Sequence, residues 1–113
     1  PGHSCYILHS QGEAMIVWGD TVHIPEVQLG DPGVGMIFDS DSAAAALSRR
    51  RILQLCVDQD LLVAGMHIHF PGFARIRRGC EGAFRFVQEQ WFHAPNHGHD
   101  PAVWQPPRAK EQG

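Results

Sequence analysis

The chain has 113 residues, 43% of them hydrophobic, and a formal net charge of −3 with histidine neutral. That length suits one small domain or part of a larger one, and the slight negative balance argues against nucleic acid as a partner, because a nucleic-acid surface requires a basic stripe. We also expect no membrane partner, since no apolar run approaches the roughly 20 residues that span a bilayer.

The first part of the chain predicts a hairpin and then a long loop. Residues 4–10 (SCYILHS) and 14–18 (AMIVW) are short apolar runs typical of strands, with a plausible turn at 11–13. Residues 19–40 are rich in glycine and aspartate and show no sustained period. A loop of this length is uncommon in a compact domain and is usually functional or disordered. Because its apolar residues argue against disorder, we interpret it as a binding loop.

A helix is predicted next. Residues 39–42 (DSDS) offer several N-caps, and the alanines and leucines behind them favour helix to about residue 58. Ile52, Leu55 and Cys56 lie off the face of the other apolar residues, which predicts burial on more than one side. The basic cluster Ser48-Arg49-Arg50-Arg51 is interpreted as a solvated helix face.

The last third predicts a strand, a loop and a second hairpin. Residues 61–66 (LLVAGM) indicate a buried strand, followed by a punctuated loop. Residues 74–78 and 83–87 alternate apolar with basic side chains, which is typical of a hairpin with one solvent face. Residues 91–113, rich in proline and histidine, are interpreted as a tail that is partly disordered.

The three cysteines, Cys5, Cys56 and Cys80, are scattered and show no CxxC spacing. Neither a disulfide framework nor a thiolate zinc site is therefore indicated. A reducing, cytoplasmic setting fits this pattern best.

Polar residues stand at the ends of three predicted strands. His3 precedes the first strand, Asp20 follows the second, and His67 follows the third. Strand ends are where ligand sites collect in layered α/β sheets, and imidazole with carboxylate binds zinc or iron. The spacing alone leaves open a plainer interpretation, in which each histidine is an ordinary surface or core residue and Asp20 belongs to a turn.

Four motifs make the sequence resemble a known family. "PGHSCYIL", "GDTVH", "FDSDSAAA" and "GMHIHFPGFARI" follow in the order found in the metallo-β-lactamase superfamily, and they look most like the branch that contains methyl parathion hydrolase. The resemblance covers roughly residues 1–87. It implies an α/β fold that is half of an αββα sandwich, with a mixed or antiparallel sheet and one main helix. Residues 1–90 would form the C-terminal half of such a domain, followed by the tail at 91–113.

The resemblance also implies a set of metal ligands. His3 matches the ligand of a first metal, Asp20 the carboxylate that bridges both metals, and His67 the ligand of the second. His69, two residues further on, is the competing candidate for that last role, and we favour His67. The implied cofactors are two divalent ions, zinc first, with iron, manganese and cobalt as alternatives.

Three further residues are implied to surround the metals. His23 would lie near them as the catalytic residue, lining the pocket or assisting proton transfer, while Phe38 and His69 would contact substrate. Loop surface and loop anchor stay open as alternatives for His23 and Phe38. The implied reaction is hydrolysis of a small-molecule ester, lactone, thioester or phosphotriester by a metal-bound hydroxide.

The family's HxHxDH motif has no counterpart here, since His97-Gly98-His99-Asp100 lies in the proline-rich tail. Our first hypothesis is a fragment or half-chain of a metallohydrolase, inactive without an N-terminal half or a second copy as partner. The alternative is a non-catalytic remnant that acts as a dimerising or interaction module, because half a sandwich exposes an apolar sheet face. A third hypothesis takes the amine of Pro1 as a general base.

Overall fold

The structure is a computed structural model that describes residues 2–90. These residues form a five-stranded mixed sheet and one long helix, which confirms the predicted fold class. In chain order the elements are β1 (Tyr6–Ser10), β2 (Glu13–Val17), a 3₁₀ turn (Gly19–Thr21), α1 (Pro25–Gln28), α2 (Ser42–Asp58), β3 (Leu62–Ala64), β4 (Phe73–Arg78) and β5 (Phe84–Gln88). The predictions on Pro1 and on the tail at 91–113 lie outside the described residues.

The strand order β1-β2-β3-β4-β5 contains one parallel pair, β2 with β3, between antiparallel neighbours. A parallel pair needs a crossover connection, and the long loop with α2 supplies it. Because β2 and β3 run in the same direction, their carboxyl ends meet at one edge of the sheet. The residues that follow these two strands are therefore brought together.

Helix α2 begins where the Asp41 side chain accepts a hydrogen bond from the backbone N–H of Ala44 at 2.9 Å. It buries Arg49, Leu53 and Cys56, which share one face at positions i, i+4 and i+7. Leu47 is 61% exposed. Cys56 is nevertheless buried, and Ile52 and Leu55 are partly buried against the core, so the helix buries a broad face that includes all three.

The interpretation of the basic cluster as a solvated face holds for Arg50 and Arg51, which are exposed. It is wrong for Arg49, which is only 3% exposed. The guanidinium tolerates burial because backbone carbonyls accept its hydrogen bonds, as described below.

The core lies between α2 and one face of the sheet. Ile16, Val63 and Ala74 form a row across β2, β3 and β4 and are fully buried. Trp18, just after β2, is also fully buried, and a Cβ at Gly65 would lie 2.0 Å from its indole Nε1. Only glycine at position 65 permits this close approach.

The opposite face of the sheet, which we call the open face, is mostly apolar and is interrupted by Arg75 of β4. Its cross-strand rows are Tyr6, Val17, Ala64 and Phe73, and Leu8, Met15, Leu62, Arg75 and Val87. Among them Tyr6 is 67% exposed and Leu8 49%. Such exposed apolar area is typical of a surface that another polypeptide covers.

Within residues 2–90 no helix is long and apolar enough to cross a membrane. Cys5, Cys56 and Cys80 all carry free thiols. Burial in α2 raises the pKa of the Cys56 thiol to about 12, so this thiol is neutral at ordinary pH.

Candidate metal centre

Asp20 and His67 meet at the edge where β2 and β3 end. The Nε2 atom of His67 lies 3.2 Å from Oδ1 of Asp20, although 47 positions separate them in the chain. His67 has φ +62°, in the left-handed region that a non-glycine residue rarely adopts. Backbone strain of this kind concentrates at functional sites, because only a surrounding structure that requires the conformation maintains it.

His23 completes a group of three. One ligand atom from each of Asp20, His23 and His67 lies within 4.8 Å of the others, and the two imidazole rings have centroids 5.0 Å apart. In the part of the chain that the structure describes, Nδ1 of His23 is buried without a hydrogen-bond partner. An unsatisfied buried nitrogen is costly, and a bound cation would satisfy a group of this kind. The donor set therefore fits a divalent ion such as zinc or iron.

Phe38 and Gln28 hold His23 from two sides. The Phe38 ring meets the imidazole edge-on, with centroids 5.2 Å apart, and is 62% exposed. Oε1 of Gln28 accepts hydrogen bonds from the backbone N–H of His23 at 2.7 Å and of Ile24 at 3.1 Å. The predicted binding loop is thus ordered locally, and α1 within it exists with Pro25 at its first turn.

A buried arginine organises the rest of this loop. Nε of Arg49 donates to the carbonyl of Thr21 at 2.9 Å, and Nη1 donates to the carbonyls of Pro32 at 2.7 Å and Val34 at 2.9 Å. Desolvation by burial lowers the pKa of Arg49, and nearby Asp39 opposes that shift. Sequence reasoning missed both Arg49 and Gln28. The available signal for Arg49 was its position four residues before Leu53 on the buried helix face.

His3 lies in the same cavity but outside the three-residue group. Its Nε2 is 3.0 Å from the carbonyl of Trp18, and its ring occupies the space beside Gly19, where a Cβ would come within 2.6 Å. Its predicted role as a metal ligand stays a prediction.

His69 also lies apart from the group. Its Nε2 is 3.3 Å from Oε1 of Glu26, and its side chain is 84% exposed. Its predicted contact with substrate stays a prediction too.

A cavity of about 740 Å³ opens beside the group. His3, Asp20, His23 and Phe38 line one part of it, and the first turns of α2 line another. This volume lies within the range of small-molecule sites.

A scan against protein-family models and a search of curated proteins gave no match. Among solved structures, the chain is similar to the hydrolase AbOPH in the beta lactamase superfamily, with a TM-score of 0.77 and 26% identity over 82% of this chain and 32% of that one. It is also similar to AidC, a dizinc quorum-quenching lactonase in complex with a product, N-hexnoyl-L-homoserine, with a TM-score of 0.73 and 20% identity over 79% of this chain and 30% of that one.

The fold is thus that of metallo-β-lactamase superfamily hydrolases. The chain spans 32% and 30% of the length of these two structures. The assignment to the methyl parathion hydrolase branch and to the C-terminal half stays a prediction.

Proposed function

We propose that the chain supplies a metal-binding edge of a metal-dependent hydrolase. The observation that carries the proposal is the convergence of one donor atom each from Asp20, His23 and His67 within 4.8 Å. Support comes from the fold shared with hydrolases, one of them a dizinc lactonase. Zinc is the first choice of metal, with iron, manganese and cobalt as alternatives. A divalent ion bound there would supply Lewis-acid activation of a water molecule.

The three side chains contribute differently. Asp20 brings negative charge, and His23 and His67 each bring the directed lone pair of a neutral imidazole. The contact between His67 and Asp20 holds both donors at the edge of the sheet. The sequence suggests proton transfer for His23, whereas its proximity to the other two donors favours metal ligation.

The proposal includes a second cation and a small-molecule substrate. His3 would serve the second ion, with Asp20 bridging the two. Phe38 would form an apolar wall beside the substrate, and the exposed His69 would contact it at the rim. An ester, lactone or phosphotriester is the proposed substrate class, and the lactonase neighbour favours a lactone.

Zinc titration of the 113-residue chain tests the proposal. We expect at least one zinc ion per chain, and we expect Asp20→Asn to weaken affinity at least about tenfold, the scale of loss seen when a metal site is disturbed. Asp31→Asn is the control, because the Asp31 side chain is also exposed and contacts Arg50 rather than the site. A wild-type chain without zinc affinity, or equal affinity in both variants, would contradict the proposal.

The open face favours a second candidate function, an interaction module without chemistry of its own. More than two thirds of each neighbouring structure has no counterpart in this chain. We take the occupant of the open face to be a polypeptide segment equivalent to that part. A sheet packing face to face would bury Tyr6 and Leu8, which are 67% and 49% exposed.

Sedimentation velocity of the chain distinguishes between the possible occupants of the open face. We expect Tyr6→Thr with Leu8→Thr to abolish any self-association, because Thr keeps strand propensity and removes apolar area. Ile7→Thr on the other face of β1 is the control. A stable dimer would identify a second copy as the occupant instead, and a monomer unaffected by the double change that also binds zinc would favour the hydrolase.

A further inference from the structure

We propose that Arg49 and Gln28, which we call the buried pair, are positioning residues that set the geometry of the candidate metal centre. This role rests on the proposed function. It goes beyond that function because neither side chain belongs to the donor group.

Two of the three donors, Asp20 and His23, lie on residues 19–24, a short segment that belongs to no strand and that we call the donor segment. Within it only the 3₁₀ turn Gly19–Thr21 is regular, and Asp20 has non-helical backbone angles there. The segment therefore needs other contacts to keep Asp20 and His23 at a fixed separation from His67.

The buried pair supplies those contacts. Arg49 Nε donates at 2.9 Å to the carbonyl of Thr21, the residue directly after Asp20. Gln28 Oε1 accepts from the backbone N–H of His23 at 2.7 Å. The buried pair thus fixes the backbone directly after Asp20 and at His23 itself.

The two side chains also meet each other through one acceptor. The carbonyl of Val34 accepts from Arg49 Nη1 at 2.9 Å and from Gln28 Nε2 at 3.0 Å. Arg49 is 3% exposed and Gln28 fully buried, and hydrogen bonds in such a low-dielectric setting are strong and directional. One polar network therefore joins helix α2 to the donor segment 19–24 and to residues 32–34 further along the long loop.

Metal sites require donors held to within about 0.5 Å, and loss of outer partners typically costs about 10–100-fold in metal affinity. A merely structural role predicts something different. Substitution of either residue would then lower the free energy of unfolding. In the molecules that remain folded, the metal donors would keep their geometry. Leu53 provides the comparison, because it is fully buried on the same face of α2 and packs in the apolar core.

The test is a cobalt titration of the 113-residue chain, followed by the visible absorption of bound Co²⁺ below the unfolding temperature of every variant. We expect Arg49→Met and Gln28→Met to weaken Co²⁺ binding at least about tenfold and to change the absorption band. Arg49→Lys keeps the charge but loses the fork, so we expect an intermediate loss. Leu53→Ala should lose stability and keep the wild-type affinity and band.

Each result decides the matter. Wild-type affinity and band in both Met variants would overturn the positioning role and leave the proposed function intact. An equal loss in Leu53→Ala at matched stability would overturn it as well. A wild-type chain that binds no Co²⁺ would overturn the proposed function itself. If Arg49→Met does not fold, Arg49→Lys decides by its band and affinity.

Discussion

At the scale of single residues, His67 combines an unfavourable backbone conformation with a metal-binding side chain. A left-handed non-glycine residue costs about 1 kcal/mol or more, and φ at His67 is +62°. The contact with Asp20 joins two side chains that are 43% and 54% exposed, so it contributes little to stability by itself. The predicted role of His67 in metal binding therefore calls for a variant that keeps the backbone conformation and removes the imidazole.

Replacing His67 by asparagine separates the contribution of this residue to folding from its contribution to metal binding. Asparagine adopts the left-handed conformation more readily than most residues, so we expect the free energy of unfolding to change by less than about 1 kcal/mol. Zinc affinity should fall at least about tenfold. Chemical denaturation and zinc titration measure both quantities, with His9→Asn on the exposed strand β1 as the control. A large loss of stability with unchanged zinc affinity would assign His67 a structural role.

Gly19 and Gly12 form a matched pair of left-handed glycines. Both have positive φ, +54° and +82°, but only Gly19 has a neighbour in the way of a Cβ, the ring of His3. Alanine at either position should cost about 1 kcal/mol of strain. Gly19→Ala should in addition displace His3 from the Trp18 carbonyl and shift its imidazole NMR resonances. Equal His3 spectra in the two variants would show that His3 does not occupy the site beside Gly19.

At the scale of elements, strand β4 is tied to the turn after α2 by charge. Nη1 of Arg77 donates to Oδ1 of Asp60 at 2.6 Å, and Nη1 of Arg75 lies 3.4 Å from Oδ2. The hydrogen bond from Arg77 is the main reason that the pKa of Asp60 is lowered, with the charges of both arginines adding to it. The carboxylate form is therefore favoured in the folded protein.

The sign of the pH dependence follows from this shift. The stabilisation by Asp60 is present above about pH 4, the ordinary pKa of aspartate, and is lost as the pH falls through the lowered value. Asp60→Asn should therefore unfold at lower denaturant than wild type at pH 7, and the difference should shrink below about pH 4. Asp58→Asn, whose carboxylate lies 3.8 Å from Arg78, should show a smaller difference. A difference independent of pH would contradict the assignment.

Several elements could be predicted from sequence because their signals are local. The apolar runs at β1 and β2, the alanine-rich start of α2 and the alternation in β4 and β5 each report their own structure. The buried pair could not be predicted in the same way. Whether an arginine on a helix is buried depends on carbonyls of Thr21, Pro32 and Val34, which lie 28, 17 and 15 positions away.

At the scale of the whole molecule, the order of strands creates the site. The crossover through α2 makes β2 and β3 parallel neighbours, and so Asp20 and His67 face each other across one edge of the sheet. The positions of Asp20 and His67 at predicted strand ends were enough to predict that these two residues lie close together. The inclusion of His23 in the donor group depends on the path of the long loop and was not predictable from spacing. The same topology leaves the open face without a described layer on it.

The most direct test of the central claim is a zinc-edge anomalous difference map from crystals of the chain grown with zinc. The account predicts a peak within coordination distance, about 2.0–2.2 Å for nitrogen and oxygen ligands, of Asp20, His23 and His67. A peak bound only by other residues, or no peak at this edge of the sheet when zinc is in excess, would contradict it.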